Sequence, residues 1–316
     1  MVQGTLKESQ RALVVNLPRI HERLHLMMPE KITFRRSGID DPNALELVRK
    51  LRPIPFAKRS PLKRLNLLLS IVKKHRPDIV SEYVANLQRK YNVLITPDLV
   101  NEIDVSNLVA EFEVLKEFPE LALSNLAYFL HILQPPDDAD LENDTIEVSQ
   151  RTQLRTVLCP KYQNLFTLTE TIDRNKAIEI YKIYHDAFLM ETRSSHEDQY
   201  ETLQQFADRW NQESAKENPG LIRFISDEKD GKVYLRKENC LWNDAISDLQ
   251  DIDVKYMICC YGDFDGAQRA NKHFVLTMER TIIEGHPYCD SVFHDTRIDN
   301  LLTHPPDEFF EGIKLE

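Results

Sequence analysis

Before Asn218-Pro219-Gly220 the apolar residues of this chain recur at three- and four-residue intervals, and after it they alternate. A period near 3.6 buries one stripe of a helix, whereas a period of two buries one face of a strand, so the change of rhythm limits the chain to a mixed fold. LIRFISDE and KVYLRKENC read as strands joined across Lys229-Asp230-Gly231, where Asp-Gly supplies the backbone a tight hairpin needs. Residues 272–283 alternate again, turn at Glu284-Gly285-His286-Pro287 and return as YCDSVFHD. Short helices are expected at 243–249 and 254–261, between the two hairpins. The expected class is α+β, a helical N-terminal region followed by an antiparallel sheet packed with helices.

Glycine usage agrees with that division. The chain has eight glycines, and Gly220, Gly231, Gly262, Gly266 and Gly285 all lie in its second half. The first half carries helical stripes, such as Leu13, Val14, Leu17, Ile20, Leu24 and Met27, punctuated by prolines. Pro61, Pro77 and Pro97 fit the first turns of successive helices, where a missing N–H costs nothing. Residues 107–133 read as two helices parted near Pro119, with His131 inside an apolar run and therefore expected in the core. Pro135-Pro136 and the acidic loop DDADLEND (137–144) mark a linker. The expected domains are a helical region over 1–145 and an α+β domain over 146–316.

Fifty-one acidic against 40 basic residues give a net charge of -11, which argues against nucleic acid as the main partner. A basic stretch over residues 49–64 reads as a solvated connector. No glycine-rich phosphate loop is present. No run approaches the roughly 18 apolar residues of a membrane span, and the first residues lack the pattern of a secretory signal. Five cysteines without framework spacing suit a reducing compartment, so a cytoplasmic location is expected. The expected partner is a small-molecule substrate, and the helical N-terminal region offers a surface on which two copies could pair as a homodimer.

Chemically capable residues crowd between Leu235 and Asp295: Cys240, Cys259, Cys260 and Cys289, with Asp263, Asp265, Arg280, His286 and Asp290 among them. Three readings compete. Cys289 is a nucleophile served by Asp263 or Asp290, with His286 or Arg280 favouring its thiolate. Alternatively Cys240, Cys260 and Cys289 hold zinc with an Asp or His, although no C-x-x-C occurs. In the third reading the thiols are core residues of a binding module that performs no chemistry. Elsewhere, His21-Glu22-Arg23-Leu24-His25 matches the zinc motif H-E-x-x-H without an evident third ligand. Cys159 reads as a small buried hydrophobe, and His185-Asp186 has no partner visible in sequence.

Cys240 with Trp242, Cys260 with Asp263, Arg280-Thr281, Gly285 and Cys289-Asp290 together resemble the L-2-amino-thiazoline-4-carboxylic acid hydrolase family. The likeness runs from about Phe166 to Asp295. After Asp290 the chain continues Ser291-Val292-Phe293, where the family has Phe-Arg. The resemblance implies hydrolytic opening of a thiazoline-like ring by water addition across C=N. Cys289, Asp263 and Asp290 would be catalytic, with Arg280, His286, Cys240 and Cys260 binding substrate; Arg280 would clamp a carboxylate, or else pair with Glu279 or Glu284. No resident cofactor is expected, zinc being the one alternative. The same cavity would also serve a non-catalytic sensor, or a cyclase or isomerase acting on a related ligand.

Overall fold

Two hairpins and one distant strand make the main sheet of the computed structural model. Its strands are Phe34–Ser37 (β1), Arg223–Ser226 (β4), Lys232–Lys237 (β5), Phe274–Thr277 (β6) and Cys289–Asp295 (β7). The order is β1-β4-β5-β7-β6, with every neighbouring pair antiparallel. A second, two-stranded sheet pairs Val48–Leu51 (β2) with Ile146–Ser149 (β3). The structure describes residues 32–94, 100, 103–192, 199–209 and 220–313, and from Thr33 onward the chain groups as one unit. Strands from either side of residue 145 therefore share both sheets. His21 and His25 lie outside the described residues.

The β4–β5 hairpin forms as its alternation and Asp230-Gly231 dictate, with both turn residues at positive φ. β1 is not legible in the same way, because FRRS has no apolar alternation and is placed by pairing alone. It leaves the sheet at Gly38, whose φ is +100° and where an added Cβ would stand 1.7 Å from the Leu221 carbonyl oxygen. Gly38→Ala must therefore move β1 away from β4. A loss of roughly 2 kcal/mol or more is expected in denaturant unfolding, and unchanged stability would show that this edge tolerates displacement.

Helices Lys63–His75 (α1), Val80–Val93 (α2), Pro119–Leu133 (α3), Gln150–Thr171 (α4) and Arg174–Thr192 (α5) form the helical layer. α3 is the most buried, with Leu121, Ala122, Leu126, Ala127, Phe129 and Leu130 inside. His131 is a correction: it lies in the last turn of α3 on the side turned away from the core and is exposed. Pro61 is another. Rather than opening a helix, it lies inside a widened turn, Lys58–Leu62, that joins Pro53–Ala57 to α1. That wider pairing lets the helix pass a residue with no N–H. A polar seam crosses the layer, with Asn125 donating to Tyr91, Tyr91 to the Asn164 side chain, and Tyr83 to the Asn164 carbonyl. No described helix is long and apolar enough to cross a membrane.

The main sheet is covered on both faces, which is why every residue of β7 is buried. On one face Val233, Leu235, Phe293, Ile225 and Leu276 pack against Ala267 and Ala270 of helix Tyr261–Ala270 (α8) and against Phe206. On the other, Tyr234 and Tyr288 meet Phe309 and Phe310 of Asp307–Glu311 (α9). Leu241–Ala245 (α6) and Ile252–Cys259 (α7) connect β5 to α8.

Candidate functional site

Antiparallel register builds the first part of the site. Arg223 of β4 lies opposite Lys237 of β5, and Lys237 lies opposite Cys289 of β7. Residues directly opposite each other share one face of a sheet, so two cations and a thiol form a row at the end of three strands. Above that row stands the first turn of α8. Its Asp263 accepts a 2.8 Å hydrogen bond from Lys237 Nζ, an ion pair in which the carboxylate stays open to solvent on one side. Cys240, just past the end of β5, accepts from the Asn243 N–H at 3.4 Å and so caps α6. Cys259 ends α7, and Cys260 directly precedes α8.

The four thiols are close enough for each to alter the ionisation of others around this ion pair. Burial pushes Cys289 up to about 11, against the pull of Lys237 and of the Ile282 N–H that donates to its sulfur at 3.3 Å. Burial likewise takes Cys259 up to about 12. Cys260 is driven well above the thiol range by burial, then by Asp263 and the other three cysteines. Cys240 is raised by burial, with Asn243 N–H and Lys237 opposing. Burial pulls Lys237 down, yet Asp263 and Cys289 outweigh it and the net shift is upward. All four thiols are therefore held as S–H at neutral pH.

Cys289 and Asp290 do not converge, because neighbouring residues of a strand point to opposite faces. Asp290 faces α9. Its Oδ1 accepts from the backbone N–H groups of Glu279 and Arg280, both at 2.8 Å, and its Oδ2 lies 3.3 Å from His304 Nε2. Burial raises its carboxyl, but His304 and those amides hold it below the usual range. Arg280 is engaged with Asp307 and the Tyr288 hydroxyl, on this second face rather than beside the Lys237 row. His286 is half-buried in the turn, its backbone N–H bonded to the Thr281 carbonyl.

Two groups of residues emerge that the sequence did not single out. Lys161 of α4 donates to the Ile258 carbonyl at the end of α7. Burial, and then Arg64, bring its ammonium down to about 7, while Cys259 opposes them. A hydrogen-bonded chain also runs behind the sheet. His294 Nδ1 stands 2.6 Å from Asp299 and its Nε2 2.8 Å from Thr277 Oγ1, which is 2.9 Å from His304 Nδ1. His304 then faces Asp290. Thr277 and His294 sit on adjacent strands in an alternating pattern, so a polar face was visible, but His304 and Asp299 come from loops with no periodicity. A groove of about 670 Å³, lined by Asn86, Arg89, Tyr162 and Phe166 among others, contains none of the cysteines.

Comparison with known proteins identifies no relative: no family model, no curated protein and no solved structure matches this chain.

Proposed function

We propose that the chain is a hydrolase that opens a small nitrogen-containing heterocycle at a thiazoline-like C=N carbon, with Cys289 as nucleophile. The observation that carries this reading is the gathering of Cys289, Lys237 and Asp263 where three strand ends meet the first turn of α8. Asp263 accepts the thiol proton as sulfur adds to the carbon, and that proton passes to the ring nitrogen. The ring C–S bond then breaks, its electron pair leaving on the ring sulfur. Asp263 takes a proton from water as its oxygen adds to the same carbon, and collapse of that adduct breaks the bond to Cys289, whose thiolate takes the proton back from Asp263. Lys237 balances the negative charge at each stage. Asp290 and Arg280 serve instead to fix the 279–282 backbone, whose Ile282 N–H supports the sulfur.

A second reading, a binding or sensor module, is favoured by one observation: burial keeps every thiol of the cluster protonated. Incubation with a 2-amino-thiazoline-4-carboxylate and assay of ring opening separates the two. Asp263→Asn should slow turnover by about 100-fold or more, and Cys289→Ser should abolish it. Binding without turnover by the unaltered protein would favour the sensor.

A further inference from the structure

Asp263 and Asp265 leave α8 in different directions, and the second has a partner from the helical layer. Its Oδ2 is 3.0 Å from His185 Nδ1 on α5. Asp186 adds a third donor, and one ligand atom from each of the three residues lies within 4.8 Å of the others. We propose that His185, Asp186 and Asp265 form a divalent-cation site for a hard ion such as Mn²⁺, tying α5 to α8. One imidazole and two carboxylates suit such ions, and three protein ligands leave coordination positions open.

The backbone of α8 is shaped around this point. Gly262 and Gly266 are one turn apart on one side of the helix. A Cβ on Gly262 would stand 2.9 Å from His185 Nε2, so the imidazole rests on bare backbone, while Gly266 has nothing within 4 Å. The helix thus gives up side chains both where the ring seats and in the open space one turn further on. Tyr261 packs edge-on to the His185 ring at 5.3 Å, and the Lys182 ammonium lies 5.6 Å from the Tyr261 ring centroid. The 3.0 Å contact between His185 Nδ1 and Asp265 Oδ2 holds these two donors side by side, where one cation would take both.

The site is independent of the proposed hydrolysis, and the cysteine cluster is its natural competitor because soft sulfur draws zinc and cobalt. Mn²⁺ binding to the full chain, followed by electron paramagnetic resonance, should saturate at one equivalent. His185→Gln and Asp265→Asn should each weaken it by at least about tenfold, with unchanged circular dichroism, while Cys259→Ser leaves it intact. Co²⁺ should give weak visible bands without an intense sulfur charge-transfer band. Absence of saturable Mn²⁺ binding, binding indifferent to both substitutions, or a Co²⁺ sulfur band lost in Cys259→Ser would each overturn the assignment.

Discussion

Thr277→Val should destabilise the protein by roughly 2–5 kcal/mol, whereas Asp290→Asn should cost only about 1 kcal/mol, although Asp290 is the more deeply charged position. The position of the hydroxyl gives the reason. Thr277 Oγ1 lies between two ring nitrogens, 2.8 Å from His294 Nε2 and 2.9 Å from His304 Nδ1, and His294 Nδ1 is 2.6 Å from Asp299.

Burial lowers His294, with Asp299 opposing, so His294 is the neutral ring, donating from Nδ1 to Asp299 and accepting at Nε2 from Thr277. Thr277 then accepts from His304 Nδ1. Valine keeps the shape of threonine but strands two buried ring nitrogens, at about 1–3 kcal/mol each. Asparagine instead keeps an oxygen for the Glu279 and Arg280 N–H groups and gives up only the charge facing His304 at 3.3 Å. Guanidinium unfolding at neutral pH measures both. Equal losses for the two variants, or a larger loss for Asp290→Asn, would refute the role given to the Thr277 hydroxyl.

Acid should also weaken the fold through the same groups. His294 has its pKa lowered on folding, so below about 6.5 the unfolded chain binds the proton the native ring refuses, and stability falls with pH. Asp290, also lowered, contributes stability above its unfolded value that is lost as pH falls through its folded one.

What could be read in advance follows from how far apart the cooperating residues lie. The hairpin at Asp230-Gly231 and the strand 289–295 depend on alternation within a few residues, and both form as expected. The cysteine-rich stretch folds back on itself because α7 and α8 return onto the sheet they interrupt. Facing direction was harder to read. Cys289 and Asp290 are adjacent in sequence, yet strand geometry places them on opposite sides, so a motif read as one catalytic unit splits into a sulfur site and a backbone clamp. Lys237 was in plain view beside Cys240, but only the β5–β7 register sets it opposite Cys289. Lys161, His304 and Asp265's partner His185 are joined to their sites by tertiary packing, which leaves no local signal.

The thiols themselves provide the second large effect. At neutral pH Cys289, raised from the ordinary thiol value of 9.0 to about 11, should react with iodoacetamide roughly 100-fold more slowly than a free cysteine. Peptide mass spectrometry after timed labelling reads each cysteine separately, and a pH series separates ionisation from access, since restricted access lowers every rate alike. The neighbours give the result its sign. Lys237→Met removes the charge that favours the thiolate and should move the labelling midpoint of Cys289 upward. Asp263→Asn removes the charge that opposes it and should move the midpoint downward. A Cys289 that labels like a free thiol, or a midpoint indifferent to both substitutions, would dissociate the sulfur from the ion pair and remove the basis for the proposed nucleophile. If the opposed shifts are found, the resting protonation has a mechanistic use. A cationic amidine-like ring entering beside Asp263 would cancel the carboxylate's opposition, so the thiolate would form only with substrate in place, and the resting sulfur would be spared from oxidation and alkylation.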